Sequence, residues 1–161
     1  MIQAKILHIV RHGKALQEFL YINDDDRPLI EKGILNNILV AKKLLAQYPA
    51  PDLIISSYAA RALHTAHIFA REMAYPHEKV QAFEELYLHG DKEACYILEN
   101  LSDDINSVMV VGHNPDVTYL ANRFDARINE IRTSGVVTIC FETDRWNKIY
   151  ESKAKYTFFD K

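Results

Sequence analysis

The stretch Ile6-Leu7-His8-Ile9-Val10-Arg11-His12-Gly13-Lys14 is an apolar run that stops abruptly on an arginine, a histidine and a glycine. Residues 5–10 read as a strand that is apolar on both faces apart from His8, which places it centrally in a parallel sheet. The end of that strand delivers a cation, an imidazole able to act as a nucleophile, and a flexible turn to one edge of the sheet. Three residues of this kind carry little weight alone, because short motifs recur by chance and most strands end on polar groups. The rest of the chain supplies the weight.

A chain of 161 residues suits one domain, 1–161, and is long enough to bury a core. Its 48% hydrophobic and 25% charged residues are ordinary for a globular protein. The net charge of -3 argues against a broad nucleic-acid-binding face, so an anionic ligand must be held by a local cluster of cations. Cys95 and Cys140 both sit in apolar runs and are too few for a disulfide framework. Buried, reduced thiols are expected, which suits a reducing compartment. The N-terminal apolar run contains Lys5 and is followed by no small-residue cleavage site, and no apolar run approaches membrane-spanning length. The expectation is a cytoplasmic protein that engages neither membrane nor nucleic acid.

Along the chain, Asn23-Asp24-Asp25-Asp26 reads as a solvated loop, since neither EF-hand spacing nor a glycine follows it. Arg27-Pro28 is expected to open a helix with proline in the first turn. Ile34, Ile38, Ala41 and Leu45 would form its core face, widened by Leu35 and Leu39. Residues 52–56 form a short strand, and Ser56 or Ser57 caps a helix that runs to about Met73, with Ala62, Ala66, Phe69 and Met73 inward. Residues 80–83 are a weak strand, 84–91 a loop closed by Gly90, and 92–101 a helix. A fully apolar strand over 107–111 ends in Gly112-His113-Asn114-Pro115-Asp116, which reads as a helix start with Asn114 as cap and Pro115 in the first turn. Residues 133–141 and 148–158 read as closing strands. Strand and helix alternate, which predicts an α/β sandwich with a largely parallel sheet.

Three strand ends in this reading carry cations or imidazoles where a helix begins: Arg11-His12-Gly13, Ser57 with Arg61, and Gly112-His113-Asn114. Ligands of open α/β sheets bind outside the carboxyl ends of parallel strands, where residues distant in sequence converge. Two arginines, two imidazoles and helix N-terminal amides facing one spot describe a phosphate site.

These motifs, with Ser57-Tyr-Ala-Ala-Arg61-Ala62-Leu-His-Thr65-Ala66 following the second strand, resemble the histidine phosphatase superfamily, the phosphoglycerate mutase-like group. Asp26-Arg27-Pro28-Leu29 with Gly33, Glu85-Leu86 with Gly90-Asp91, Gly112-His113-Asn114-Pro115 and Thr133-Ser134-Gly135 are similar to its SixA-type phosphohistidine phosphatase branch. The resemblance spans about residues 5–142. It implies a three-layer α/β/α sandwich of phosphoglycerate mutase-like fold, with His12 as a nucleophile that becomes transiently phosphorylated. Arg11, Arg61 and His113 would hold the phosphoryl oxygens, and Gly13 would leave room for the phosphoryl group. Lys14 replaces a residue that is usually acidic in the family and would add a cation at the rim. Ile30 stands where the branch usually has threonine, a change confined to the helix start. Glu85 is the candidate general acid.

The neutral form of His12 is the one that attacks, and Arg11 and Arg61 disfavour a second positive charge there. No cofactor or metal is implied. His64 and His67, three apart on a helix, are half a metal site without a further ligand; His8 reads as a hydrogen-bonded core histidine and His89 as lining the mouth, while His77 has no assigned part. Tyr87 and Tyr119 are assigned to packing. The expected activity is a metal-independent phosphatase, acting in signal transduction on phosphohistidine of a protein. The alternatives are a small-molecule phosphomonoesterase with the same site, or a phosphoprotein-binding module with little turnover. The sequence leaves the oligomeric state open, a monomer being compatible with it.

Overall fold

The structure is a computed structural model that describes residues 4–17 and 21–161. Part of the polar stretch that follows Lys14, residues 18–20, lies outside the described residues. The sheet comprises β1 (Lys5–Arg11), β2 (Leu53–Ser57), β3 (Gln81–Phe83), β4 (Ser107–Gly112), β5 (Val136–Phe141) and β6 (Ala154–Phe159), in the spatial order β3-β2-β4-β1-β5-β6. Helices α1 (Glu31–Leu45) and α2 (Ala60–Glu72) cover one face, and α3 (Glu85–Leu88), α4 (Gly90–Glu99) and α5 (Asp116–Arg123) belong to the other. This is the expected three-layer α/β/α sandwich.

Alternation along the strands divides the core. Leu7 and Ile9 pack with Val108, Val110, Leu98, Leu120 and Trp146, whereas Val10 packs on the opposite face with Val40, Leu44, Ala66 and Phe69. His8 points to the second face, 1% exposed, with Nδ1 2.8 Å from the Thr138 hydroxyl, as a satisfied core histidine should be. β1 is central but parallel on only one side: it runs parallel to β4 and antiparallel to β5. After α5 the chain returns to the carboxyl end of the sheet, so β5 starts beside Arg11, whose N–H donates to the Gly135 carbonyl at 3.1 Å, and runs back along β1.

Several expected boundaries move, each for a local reason. Arg27 and Pro28 precede α1 instead of opening it. Their segment is extended, with Leu16 N–H donating to the Pro28 carbonyl at 2.8 Å and Leu29 bridged to Ala15. Ile30 then occupies the N-cap position with no side-chain cap bond, as its replacement of threonine implied. The buried face of α1 is Gly33, Asn37, Val40, Ala41 and Leu44, while Leu35, Leu39 and Leu45 are exposed. The apolar residues of this helix fill two overlapping stripes, and the close approach at Gly33 selects between them. Ser57 ends β2 and Ala59 holds the N-cap position of α2. Residues 85–88 and 90–99 are helical where a loop and a later start were expected. Trp146, fully buried with Nε1–H donating to the Ile105 carbonyl at 2.7 Å, holds Trp146–Glu151 in a 3-10 turn, so β6 starts only at Ala154. No helix among the described residues is long and apolar enough to cross a membrane.

Candidate active site

The sheet register brings the three expected strand ends together. Arg11 is paired with Gly112 and Ser56 with Val111, so His12, Ser57 and His113 emerge side by side. His12 N–H donates to the Gly112 carbonyl at 3.0 Å, and Ser134 N–H donates to the His12 carbonyl at 3.2 Å. Ser134 takes a φ of 65°, in the left-handed region. The turn that carries His12 is thus fixed on both sides by backbone.

The rings of His12 and His113 lie 5.1 Å apart, centroid to centroid. His12 Nδ1 is 2.7 Å from the Gly13 carbonyl, which can only accept. The proton of the neutral ring therefore sits on Nδ1 and the lone pair on Nε2. Burial pushes the His12 pKa down to about 4; Arg61, Arg11 and Arg27 add to this, and the Gly13 bond opposes it. The direction matches the sequence expectation, but desolvation outweighs the arginines. His113, 7% exposed, is pushed down to about 3, again mainly by burial and then by His12 and Arg61. Its Nε2 lies 2.8 Å from Ser57 Oγ, which already accepts from Ala59 N–H. The serine hydroxyl keeps its proton for donation to Nε2, and in that tautomer the His113 proton sits on Nδ1, a buried atom without a partner.

Arg61 is 5% exposed; its Nη1 donates to the Asp24 carbonyl at 2.5 Å and its Nη2 to Asp24 Oδ2 at 3.0 Å. Arg11 donates through Nη1 to the Ile131 carbonyl at 2.9 Å. The Nε atoms of both arginines are buried and unpartnered. Unpaired buried donors cost about 1–3 kcal/mol each, more when charged. Two guanidinium N–H groups and an imidazole N–H are what several oxygens on one anion would satisfy.

Thr65 ties this cradle to the helices. Its Oγ1 donates to the Arg61 carbonyl at 2.7 Å and accepts from Gly13 N–H and Asn37 Nδ2, each at 3.0 Å. The sequence reading has Gly13 leave room for a phosphoryl group; the structure shows a second constraint on this position, the approach of α1. A Cβ at Gly13 would meet Asn37 Nδ2 at 2.6 Å and the Gly33 carbonyl at 2.9 Å. The glycine permits α1 to approach the turn that carries His12.

Two expectations at the periphery fare differently. Lys14 has an exposed side chain that makes no hydrogen bond or ion pair with a described residue. Glu85 is exposed at the start of α3 and lines an open surface groove with Leu88, His89 and Tyr96; none of its described contacts reaches His12, Arg11, Arg61 or His113. Asn114 does not cap α5. Its amide donates to the Ile131 carbonyl at 2.9 Å and its Oδ1 accepts from Thr118 at 2.8 Å. Tyr87 packs edge-on against His113, with centroids 5.4 Å apart, and also donates to Asp24 Oδ2. His77 stacks on His67, with the Nδ1 atoms 3.2 Å apart. Among the described residues, no three metal-binding side chains converge.

Sequence reasoning missed Asp24, Arg27 and Asn37. The aspartate run, read as solvated, folds back onto the site. Arg27 donates to Asp24 Oδ1 through Nε at 2.9 Å and Nη2 at 2.7 Å, and Tyr58 donates to Asp25 at 2.6 Å. The Tyr87 hydroxyl, then Arg27 and Arg61, hold the Asp24 carboxyl well below the usual carboxylate range, against the opposing effect of its partial burial.

This architecture is shared with solved phosphatases. It matches the protein histidine phosphatase SixA complexed with tungstate at a TM-score of 0.79, 22% identical, covering 96% of each chain. It matches a provisionally assigned phosphohistidine phosphatase SixA from Agrobacterium tumefaciens at a TM-score of 0.77, 24% identical, covering 95% of this chain and 97% of the other. These likenesses establish the fold. The family model of the histidine phosphatase superfamily (branch 1) matches residues 7–95, and the chain belongs to that family. An uncharacterised protein of Picosynechococcus sp. is 35% identical over 113 residues, 69% of this chain and 67% of the relative. An uncharacterised protein of Mycobacterium tuberculosis is 33% identical over 101 residues, 62% of this chain and 60% of the relative. Family membership, with phosphatases among the proteins of the same fold, supports a phosphatase.

Proposed function

We propose that this protein is a SixA-type phosphatase that hydrolyses phosphohistidine on a protein, without a metal, through a phosphoryl group carried transiently on Nε2 of His12. The observation that carries the reading is the neutral His12, its proton held on Nδ1 by the Gly13 carbonyl beside Arg61, Arg11 and His113. Phosphoryl transfer needs positioning and charge stabilisation more than covalent chemistry from the protein. Arg11 Nε, Arg61 Nε and His113 Nδ1 supply donors for the phosphoryl oxygens. Gly13 sets the nucleophile turn, and Lys14 is a cation at its solvent rim.

In the first step the Nε2 lone pair forms a bond to phosphorus. The P–N bond to the substrate breaks, and its electron pair returns to the substrate imidazole, which leaves neutral once its other nitrogen carries a solvent proton. In the second step water attacks phosphorus, and the P–Nε2 bond breaks with its pair returning to His12. The Gly13 carbonyl matters here: with Nδ1 protonated, His12 departs as neutral imidazole and not as imidazolate.

The leaving group favours phosphohistidine over an alkyl ester. Release of an alkoxide needs a proton donor, and such donors contribute about 10²–10⁴-fold. Asp24 is held ionised, and Glu85 is exposed and makes no side-chain hydrogen bond to the cluster among the described residues. An imidazole on a labile P–N bond has little need of either. The test is to incubate the enzyme, in chelator, with a His-phosphorylated phosphocarrier protein and with a panel of sugar and nucleotide phosphates. The reading expects rapid loss of the protein phosphate, with the esters slower by orders of magnitude. Preference for the small esters overturns the substrate assignment. Stoichiometric retention of the phosphoprotein without turnover overturns the enzyme.

A further inference from the structure

The mechanism above leaves unused a carboxylate lodged among the cations. Asp24 accepts from Arg27 on Oδ1 and from Arg61 and Tyr87 on Oδ2, while its backbone carbonyl takes the second Arg61 nitrogen. Both terminal nitrogens of Arg61 are therefore turned toward Asp24, leaving Nε as the buried donor without a partner. The carboxylate side chain is 37% exposed, so it remains in contact with solvent, and its partners Arg61 and Tyr87 place it next to His113. Tyr58 pins the adjoining Asp25, and Tyr87 bridges Asp24 to the edge of His113. Asp24, Arg27, Arg61 and Tyr87 thus form a built arrangement of four side chains from three segments of the chain.

A fixed negative charge beside a phosphate cradle works against binding a dianion, since like charges in a partly desolvated site repel. Its effect on turnover depends on the charge that the leaving group carries. Phosphohistidine becomes a good phosphoryl donor when the ring nitrogen remote from phosphorus is protonated, making the ring cationic. A neighbouring carboxylate favours that form. It disfavours an ester whose leaving oxygen gains negative charge as the P–O bond breaks, because its electron pair is then expelled toward another anion.

We propose that Asp24 is a specificity-determining residue, selecting phosphoryl donors that depart from a cationic nitrogen over donors that depart as oxyanions. The proposal rests on the phosphohistidine reading and explains how the site works without an acid. Bond making is unchanged: Nε2 of His12 bonds to phosphorus, the P–N bond gives its electrons to the departing nitrogen, and the ring proton, drawn earlier from solvent, leaves with the imidazole.

The test compares wild type with Asp24→Asn on phosphoramidate, which leaves as ammonia, and on 4-nitrophenyl phosphate, which leaves as a phenolate. Loss of the charge should lower kcat/KM for phosphoramidate by about tenfold or more and raise it for 4-nitrophenyl phosphate by a similar factor, well inside the roughly thousandfold of one bare charge contact at about 4 Å and an effective dielectric of about 20. Asp24→Glu, which restores the charge, should restore the preference. Circular dichroism checks that both variants are folded. Parallel loss on both substrates would make Asp24 a positioning residue for Arg61 and overturn selection. Parallel gain would make it a simple block and also overturn selection. If wild type turns over neither phosphoramidate nor phosphohistidine, the function reading fails, an outcome separate from any change in preference.

Discussion

Replacing Gly33 by alanine separates the packing account from helix propensity, because the two predict opposite signs. Gly33 lies in the first turn of α1, where alanine would ordinarily stabilise the helix by about 1 kcal/mol. Here the added Cβ would sit 2.2 Å from the Lys14 carbonyl oxygen, 2.7 Å from Lys14 N and 2.9 Å from Lys14 C, all of them backbone. About 1 Å must open before ordinary contact distance is reached, and no side chain can rotate away to supply it. The turn that moves is the one that carries His12 and Gly13, and Ile30 N–H, bonded to the Lys14 carbonyl at 3.0 Å, moves with it. Overpacking of this kind costs about 1–3 kcal/mol. A displacement of about 1 Å at the nucleophile costs about 10²-fold in rate. Urea denaturation and steady-state turnover of phosphohistidine measure the two effects. Wild-type stability with full activity in Gly33→Ala would refute the claim that α1 is pressed against the nucleophile turn.

Three further outcomes follow from the same geometry. His8, buried and pushed down to about 4, binds a proton in the unfolded chain below about pH 6.5 but resists it when folded, so stability is full above that pH and falls as pH drops toward 4. The loss is about 3 kcal/mol from this group, and denaturation midpoints should depend less on pH in His8→Gln. Arg61→Lys keeps the charge but loses the fork onto Asp24, and should lower kcat by about 10²-fold or more with the fold intact by circular dichroism. Glu85→Gln should change phosphohistidine turnover by less than about threefold, where loss of a working general acid would cost about 10² or more.

The central constellation was legible because it depends on strand ends. A buried strand that stops on Arg11-His12, another on Ser57 and a third on Gly112-His113 must deposit those residues on one edge once the sheet is parallel. Periodicity also found α2, whose inward residues Ala62, Ala66, Phe69 and Met73 are all buried. It failed on α1, where leucines and isoleucines populate two faces and a buried asparagine, Asn37, belongs to the inward one. Asp24 was invisible for a different reason. In a run of three aspartates nothing local marks the one whose carboxylate is claimed by Arg61, Arg27 and Tyr87. The cause of the low His12 pKa was half legible: the arginines are in the sequence, but the larger effect, burial, belongs to the fold.

The most direct test of the account is to trap the phosphoenzyme. Wild-type protein mixed with a His-phosphorylated phosphocarrier and quenched within milliseconds should hold an acid-labile, base-stable phosphoryl group that peptide mapping places on His12, absent from His12→Ala. Full turnover of the phosphoprotein by His12→Ala, or a phosphoryl group found on another residue of a chemically competent enzyme, would contradict it.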